Sequence, residues 1–176
     1  MLIGGDSAGA QIAAQYVTIQ TNAAYANEMW MEQTMGKDPI KGLIFYSRPI
    51  DLQQINNVKS DDRFLKFLVN TVARALIGTR DWKDSMEIQQ ASVKEYITKD
   101  FPATYITDGN AFSFQEQGMA FENKLQSLNI PVESLFFDEV SKEIDHEYQF
   151  DYELDEAKEN LQQTIDFIKE QVGNEE

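Results

Sequence analysis

Leu2-Ile3-Gly4-Gly5-Asp6-Ser7-Ala8-Gly9-Ala10 decides how this chain is read: a short apolar run breaks into G-x-S-x-G and then into an alanine-rich stretch. Strand, sharp turn and helix in that order, with a serine at the apex, make the sequence form of a nucleophile elbow. Gly5 and Gly9 lack a Cβ, and so tight a turn is expected to bring neighbouring backbone close to both. A helix is expected from Ala8 to about Ala26, with Ile12, Ala13, Tyr16, Val17 and Ala24 at roughly helical spacing. Its first N–H groups and its dipole favour negative charge beside Ser7, and the Ala8 amide becomes a candidate oxyanion donor. This pattern points to acyl transfer by an activated serine. The competing reading of the same residues is a glycine-rich βα turn with a surface serine. A doubly wound nucleotide-binding module fits poorly, because Gly4-Gly5-Asp6-Ser7-Ala8-Gly9 does not have the G-x-G-x-x-G spacing.

Beyond the elbow, apolar runs alternate with helical patterns. Gly42-Leu43-Ile44-Phe45-Tyr46-Ser47, Ala103-Thr104-Tyr105-Ile106-Thr107 and Val132-Glu133-Ser134-Leu135-Phe136-Phe137 are strand candidates, each bounded by proline or by Asp-Gly-Asn. Phe114 to Leu128 places Gly118, Phe121 and Leu125 on one helical face. A last helix steps through Leu154, Ala157, Leu161, Ile165, Ile168 and Val172, which predicts that this stripe faces the core. The alternation implies an α/β domain, a parallel sheet with flanking helices, spanning residues 1–176. One stretch, 52–100, interrupts it. There Phe64, Leu65, Phe67, Leu68, Val72, Leu76 and Ile77 predict an amphipathic helix, and Trp82 to Tyr96 a further helical segment. So long an excursion reads either as a lid or pocket wall, or as an insertion covering the sheet edge.

Composition narrows the function classes. The 176 residues carry 30 acidic against 15 basic side chains, a net charge of -15, which opposes nucleic acid or an anionic membrane surface as partner. The chain has no cysteine and one histidine, which excludes disulfides and thiolate metal sites and leaves no pattern for a catalytic metal or cofactor. No run approaches the roughly twenty apolar residues of a membrane span, and no leader pattern opens the chain. A cytoplasmic protein is the expectation.

The elbow Gly5-Asp6-Ser7-Ala8-Gly9, the strand at 42–47 with Pro49 and Asp51 after it, the helical excursion, Phe101-Pro102-Ala103-Thr104-Tyr105, the step Leu128 to Val132 through Ile130-Pro131, and the late His146 follow one another as in α/β-hydrolases. The chain resembles the esterase/lipase branch similar to hormone-sensitive lipase. The resemblance covers the whole chain but only the C-terminal half of that fold, beginning at the elbow strand; the family's earlier strands and its His-Gly-Gly oxyanion loop have no counterpart. It implies a carboxylic-ester hydrolase acting on a small-molecule ester, with Ser7 as nucleophile, His146 as general base and 52–100 as a cap. His146 is the only imidazole able to serve, and Glu139, Glu143, Asp145 and Glu147 beside it favour its protonated form. Without the elbow it would read as an exposed loop histidine in an acidic segment.

The family's acid position falls on Phe112, which cannot orient an imidazole. Asp108 is the nearest substitute, with Asp138 and Glu116 as alternatives, although an aspartate before Gly-Asn also serves as a turn or capping residue. With the preceding strands absent, the elbow strand becomes a sheet edge with unpaired backbone groups. The expectation is self-association, or a companion chain covering that edge; the function class this opens is a catalytically silent half-domain acting through assembly.

Overall fold

Strands buried on both faces read as continuous apolar runs, and Gly42–Tyr46 is such a strand. A computed structural model of the chain describes residues 1–47, 71, 73–75, 77–78, 81–137 and 141–173. Four parallel strands lie in chain order: β1 (Leu2–Asp6), β2 (Gly42–Tyr46), β3 (Ala103–Thr107) and β4 (Val132–Leu135). Parallel neighbours require crossovers. These contain α1 (Ala8–Thr21) and α2 (Ala23–Glu28) between β1 and β2, and α3 (Met86–Ala91) between β2 and β3. Helix α4 (Gln115–Ser127) joins β3 to β4, and α5 (Asp155–Gly173) closes the chain. The α/β architecture with flanking helices is the one expected. No helix among the described residues is long and apolar enough to cross a membrane.

Several boundaries differ from expectation, for local reasons. The first helix stops at Thr21, because Asn22 turns extended and uses its side chain to accept the Tyr25 N–H, capping a second short helix. Of the residues at helical spacing, Ile12 is exposed, and so is Ala24. Ser47 leaves β2 with φ at 50°, and β4 ends at Leu135. The segment from Trp82 forms α3 between two 3-10 turns, Trp82–Asp84 and Val93–Glu95, rather than one helix. Most of the helix expected over 64–77 lies outside the described residues; positions 71, 73–75 and 77 are helical. Ala73 and Ile77 pack on a small cluster of Trp82, Ile88 and Ala91.

The main core lies on the face of the sheet covered by α1 and α4. Leu43, Phe45 and Ile106 meet Ala10, Ala14 and Val17 from α1 and Phe121 and Leu125 from α4. Phe121 stacks tilted on Phe45 and edge-on to Phe101. The opposite face carries Tyr46 and Tyr105, and it decides the orientation of α5. A buried tyrosine hydroxyl needs a partner. The Tyr105 hydroxyl donates to Asn160 Oδ1 at 2.9 Å, and Tyr46 shares a hydrogen bond with Thr164 at 2.6 Å. Helix α5 therefore buries Ala157, Asn160, Thr164 and Phe167, and the stripe expected inside leaves Leu161, Ile165 and Val172 exposed.

This orientation predicts opposite outcomes for two apolar residues of one helix. Phe167→Ala should cost about 3–5 kcal/mol in denaturant unfolding. Leu161→Gln should stay within about 0.5 kcal/mol. A large loss at Leu161 with a small one at Phe167 would mean that the expected stripe faces inward.

Candidate active site

The sheet register builds the site. Asp6 pairs with Tyr46, and Tyr46 with Thr107, so the ends of β1, β2 and β3 stand level. The ladder runs one residue further: Ser7 N–H donates to the Tyr46 carbonyl and Ser47 N–H to the Thr107 carbonyl, both at 2.9 Å. Ser7, Ser47 and Asp108 therefore stand side by side at the C-terminal edge, where α/β sheets bind their ligands.

Ser7 occupies the elbow at φ 49° and ψ -117°, a strained backbone for a residue with a Cβ. It precedes α1 as the N-cap, yet its side chain makes no capping bond, so the hydroxyl is not consumed by the helix. A Cβ on Gly5 would lie 2.4 Å from the Gly9 carbonyl carbon, so only glycine allows the helix to enter so close to β1. Gly9 differs from expectation: a Cβ there would meet nothing within 4 Å, since its backbone is the intruder at Gly5 and its own Cβ direction is open. Ala8 is exposed at the first position of α1, where N–H groups have no intrahelical acceptor.

His146 Nδ1 lies 3.2 Å from Asp108 Oδ1. Asp108 is 2% exposed at the end of β3, and its carboxylate also accepts the Gly109 N–H at 2.9 Å and the Phe114 N–H at 2.8 Å. The turn role and the imidazole contact thus coexist in one carboxylate. Phe114 adds its ring edge-on to the imidazole, 5.5 Å between centroids. Phe112, at the family's acid position, is 90% exposed with φ at 49°. Glu116 is exposed in the first turn of α4, and Asp138 lies outside the described residues.

The histidine loop is docked by residues that sequence reasoning passed over. Asn110 donates through Nδ2 to the carbonyls of Phe137 and Lys142 and accepts the Ile144 N–H. Ala111 bridges Asp145 in parallel: its N–H donates to the Ile144 carbonyl, and its carbonyl accepts the His146 N–H. A Cβ on Gly109 would lie 2.2 Å from the Ile144 carbonyl oxygen, so this approach requires glycine. The Asp-Gly-Asn signal was legible, but only as a turn.

Charge around the imidazole is one-sided. The Asp108 contact, more than any other group, holds His146 above its ordinary pKa of 6.5; burial opposes this, while Glu147 and Asp6 add to it. Glu147, which follows His146 in sequence, is among the acidic residues expected to favour its protonated form. Burial first, and then the Glu147 charge, pushes the Asp6 carboxyl up to about 6, with His146 acting in the opposite sense. The Ser7 hydroxyl makes no hydrogen bond to the imidazole in this structure. Among the described residues, no group of three or more His, Asp or Glu side chains is arranged to hold a metal ion.

Comparison with protein-family models and with curated proteins returned no match. Solved structures do match. An inhibited form of esterase B from Lactobacillus rhamnosis superposes with a TM-score of 0.70 at 15% identity, over 97% of this chain and 54% of that one. Esterase B itself gives 0.69 at 15% identity, over 97% and 52%. An esterase from the bacterial hormone-sensitive lipase family gives 0.64 at 14% identity, over 97% and 53%. The fold is thus that of the C-terminal half of an α/β-hydrolase, and the chain spans about half the length of the structures it matches.

Because His146 is the sole histidine, its proton resonances report one group. An NMR titration should place its midpoint above 6.5, and Asp108→Asn should lower it. A group raised on folding binds its proton more tightly in the folded state. This pair therefore favours the folded chain below about pH 6.5 and loses that contribution as pH rises through the folded-state pKa. An unchanged midpoint in Asp108→Asn would mean that the carboxylate does not govern the imidazole.

Proposed function

We propose that this chain carries the catalytic machinery of a serine carboxylic-ester hydrolase acting on small or medium acyl esters. The observation that supports it most is the convergence, on one sheet edge, of an elbow serine with an uncommitted hydroxyl and a partly buried imidazole backed by a buried carboxylate. In this reading Ser7 attacks the ester carbonyl as His146 takes its proton, and Asp108 holds the imidazole tautomer and stabilises the imidazolium. The Ala8 amide donates to the oxyanion. Proton return to the alcohol then leaves an acyl-Ser7, which water cleaves by the same relay. The missing Ser7–His146 hydrogen bond is one that forms in the Michaelis complex, as apo contacts of this kind commonly tighten on binding. One structural neighbour, esterase B, is known in a tributyrin phosphonate-inhibited form, which is the chemistry expected of a serine esterase.

Residues 52–100 serve as a cap in this reading. Its described end is anchored to the body: Gln11 Nε2 donates to the Ala91 carbonyl at 2.6 Å, and the Tyr25 hydroxyl to that of Gln90 at 2.6 Å. The acidic, cysteine-free composition goes with a cytoplasmic setting.

A fluorophosphonate probe tests the chemistry without knowledge of the substrate. Stoichiometric labelling at Ser7 is expected, lost in Ser7→Ala and slowed at least about a hundredfold in His146→Ala. The labelling rate should rise with pH through the His146 pKa, as the imidazole becomes free to accept a proton. A folded chain that takes no label would remove the hydrolase reading.

One observation favours an additional reading, assembly. β1 lies at the edge of the sheet with Gly4 exposed, and Ile12, Leu161 and Ile165 expose apolar surface. We propose that a second copy or a companion chain covers this edge. Analytical ultracentrifugation should show concentration-dependent self-association of the purified chain. A strict monomer would leave the companion chain, and a monomer that also labels fully at Ser7 would show that the edge needs no cover for activity.

A further inference from the structure

Between the elbow and the histidine loop runs a chain of buried and part-buried hydrogen bonds that the proton relay itself does not use. Glu147 N–H donates to Ser47 Oγ at 3.1 Å, the Ser47 hydroxyl donates to Gln149 Oε1 at 3.1 Å, and Gln149 Nε2 donates to Asp6 Oδ1 at 2.7 Å. Ser47 is fully buried and Gln149 is 3% exposed, so neither side chain has water as an alternative partner. The donors all point one way. The single hydroxyl proton of Ser47 goes to Gln149, which leaves its lone pair for Glu147.

The ends of this path lie where the chemistry does. Asp6 immediately precedes Ser7, Glu147 immediately follows His146, and Ser47 is tied by its own N–H to Thr107, the residue before Asp108. Each of the three candidate residues is thus the covalent neighbour of an anchor in the path. Ser47 also holds a positive φ of 50°, which costs a residue with a Cβ about 1 kcal/mol or more. Glycine would relieve that strain but would remove the hydroxyl that accepts from the histidine loop and donates to Gln149.

We propose that Ser47 and Gln149 are positioning residues, locking the nucleophile elbow to the histidine loop so that Ser7 and His146 meet in the geometry that proton transfer requires. The inference rests on the serine-hydrolase reading. Misplacement of reacting groups by about 1 Å costs on the order of a hundredfold in rate. A relay joining the two halves of the pair therefore acts on rate before it acts on folding.

A reciprocal exchange tests it with near-isosteric variants of the full chain. Gln149→Glu keeps the acceptor for Ser47 but sets a carboxylate against Asp6. Adding Asp6→Asn restores the contact with donor and acceptor reversed, from the Asn amide to the Glu carboxylate. Ser47→Gly removes the hydroxyl and relaxes the backbone. The rate of Ser7 labelling by the fluorophosphonate, the thermal midpoint and the His146 titration are followed in all of them. Gln149→Glu and Ser47→Gly should slow labelling at least about tenfold in chains that stay folded. The Asp6→Asn/Gln149→Glu pair should recover to within about threefold of wild type, whereas Ser47→Gly should not recover with Asp6→Asn. Wild-type labelling rates in Gln149→Glu and Ser47→Gly, or a slowing that the exchange leaves in place, would overturn the proposal. If the wild-type chain itself takes no label, the hydrolase reading fails and the relay is judged on His146 alone. Its titration should then shift in Gln149→Glu and return in the exchange, and an unshifted midpoint would overturn the relay as well.

Discussion

The parallel register that sets Asp6, Tyr46 and Thr107 level is the constraint on which the rest of this structure depends. Because the strands end together, the next residue of each leaves the sheet at the same height. Two of the three, Ser7 and Ser47, do so at positive φ, while the third, Asp108, turns its carboxylate into backbone N–H groups and an imidazole. Slipping any strand by one residue would turn its side chains to the other face and separate the groups. The strain at the serines is borne by ladder hydrogen bonds from their own N–H groups, which continue the sheet one position past its formal end.

The two faces of the sheet are held by different physics. On one, α1 and α4 bury aliphatic and aromatic side chains around Leu43, Phe45 and Phe121, where burial of apolar surface dominates. On the other, α5 rests on two tyrosines through Asn160 and Thr164, with Phe167 as its large apolar contact. Leaving those hydroxyls without partners would cost about 1–3 kcal/mol each. The same helix consequently presents Leu161, Ile165 and Val172 on its exposed side, over a sheet that among the described residues ends at β1, and both features support the assembly reading.

Electrostatics and geometry at the candidate site act in one direction. The carboxylates of Asp108, Glu147 and Asp6 all favour protonated imidazole, with Asp108 foremost. In the proposed mechanism this would stabilise the imidazolium formed when Ser7 loses its proton, and would also move the onset of general-base action upward in pH. Burial of Asp6, which raises its own carboxyl, tempers that field at lower pH.

Much of this was legible in the residues. The α/β class followed from alternating apolar runs and helical spacing, the elbow from G-x-S-x-G between an apolar run and an alanine-rich stretch, and His146 from being the only imidazole in the chain. Those signals are local, carried by steric and chemical properties of residues within a few positions of one another. What the tertiary structure alone decided depends on partners far apart in sequence. Asp108, rather than Glu116, stands against His146 because the Asn110 and Ala111 contacts bring the loop onto the end of β3. The buried face of α5 was misread because periodicity counts apolar residues and cannot see two tyrosine hydroxyls on the strands it will cover. Gln149 and Ser47 carry no local signature, since a buried hydrogen bond spanning 102 residues exists only once the strands are in register.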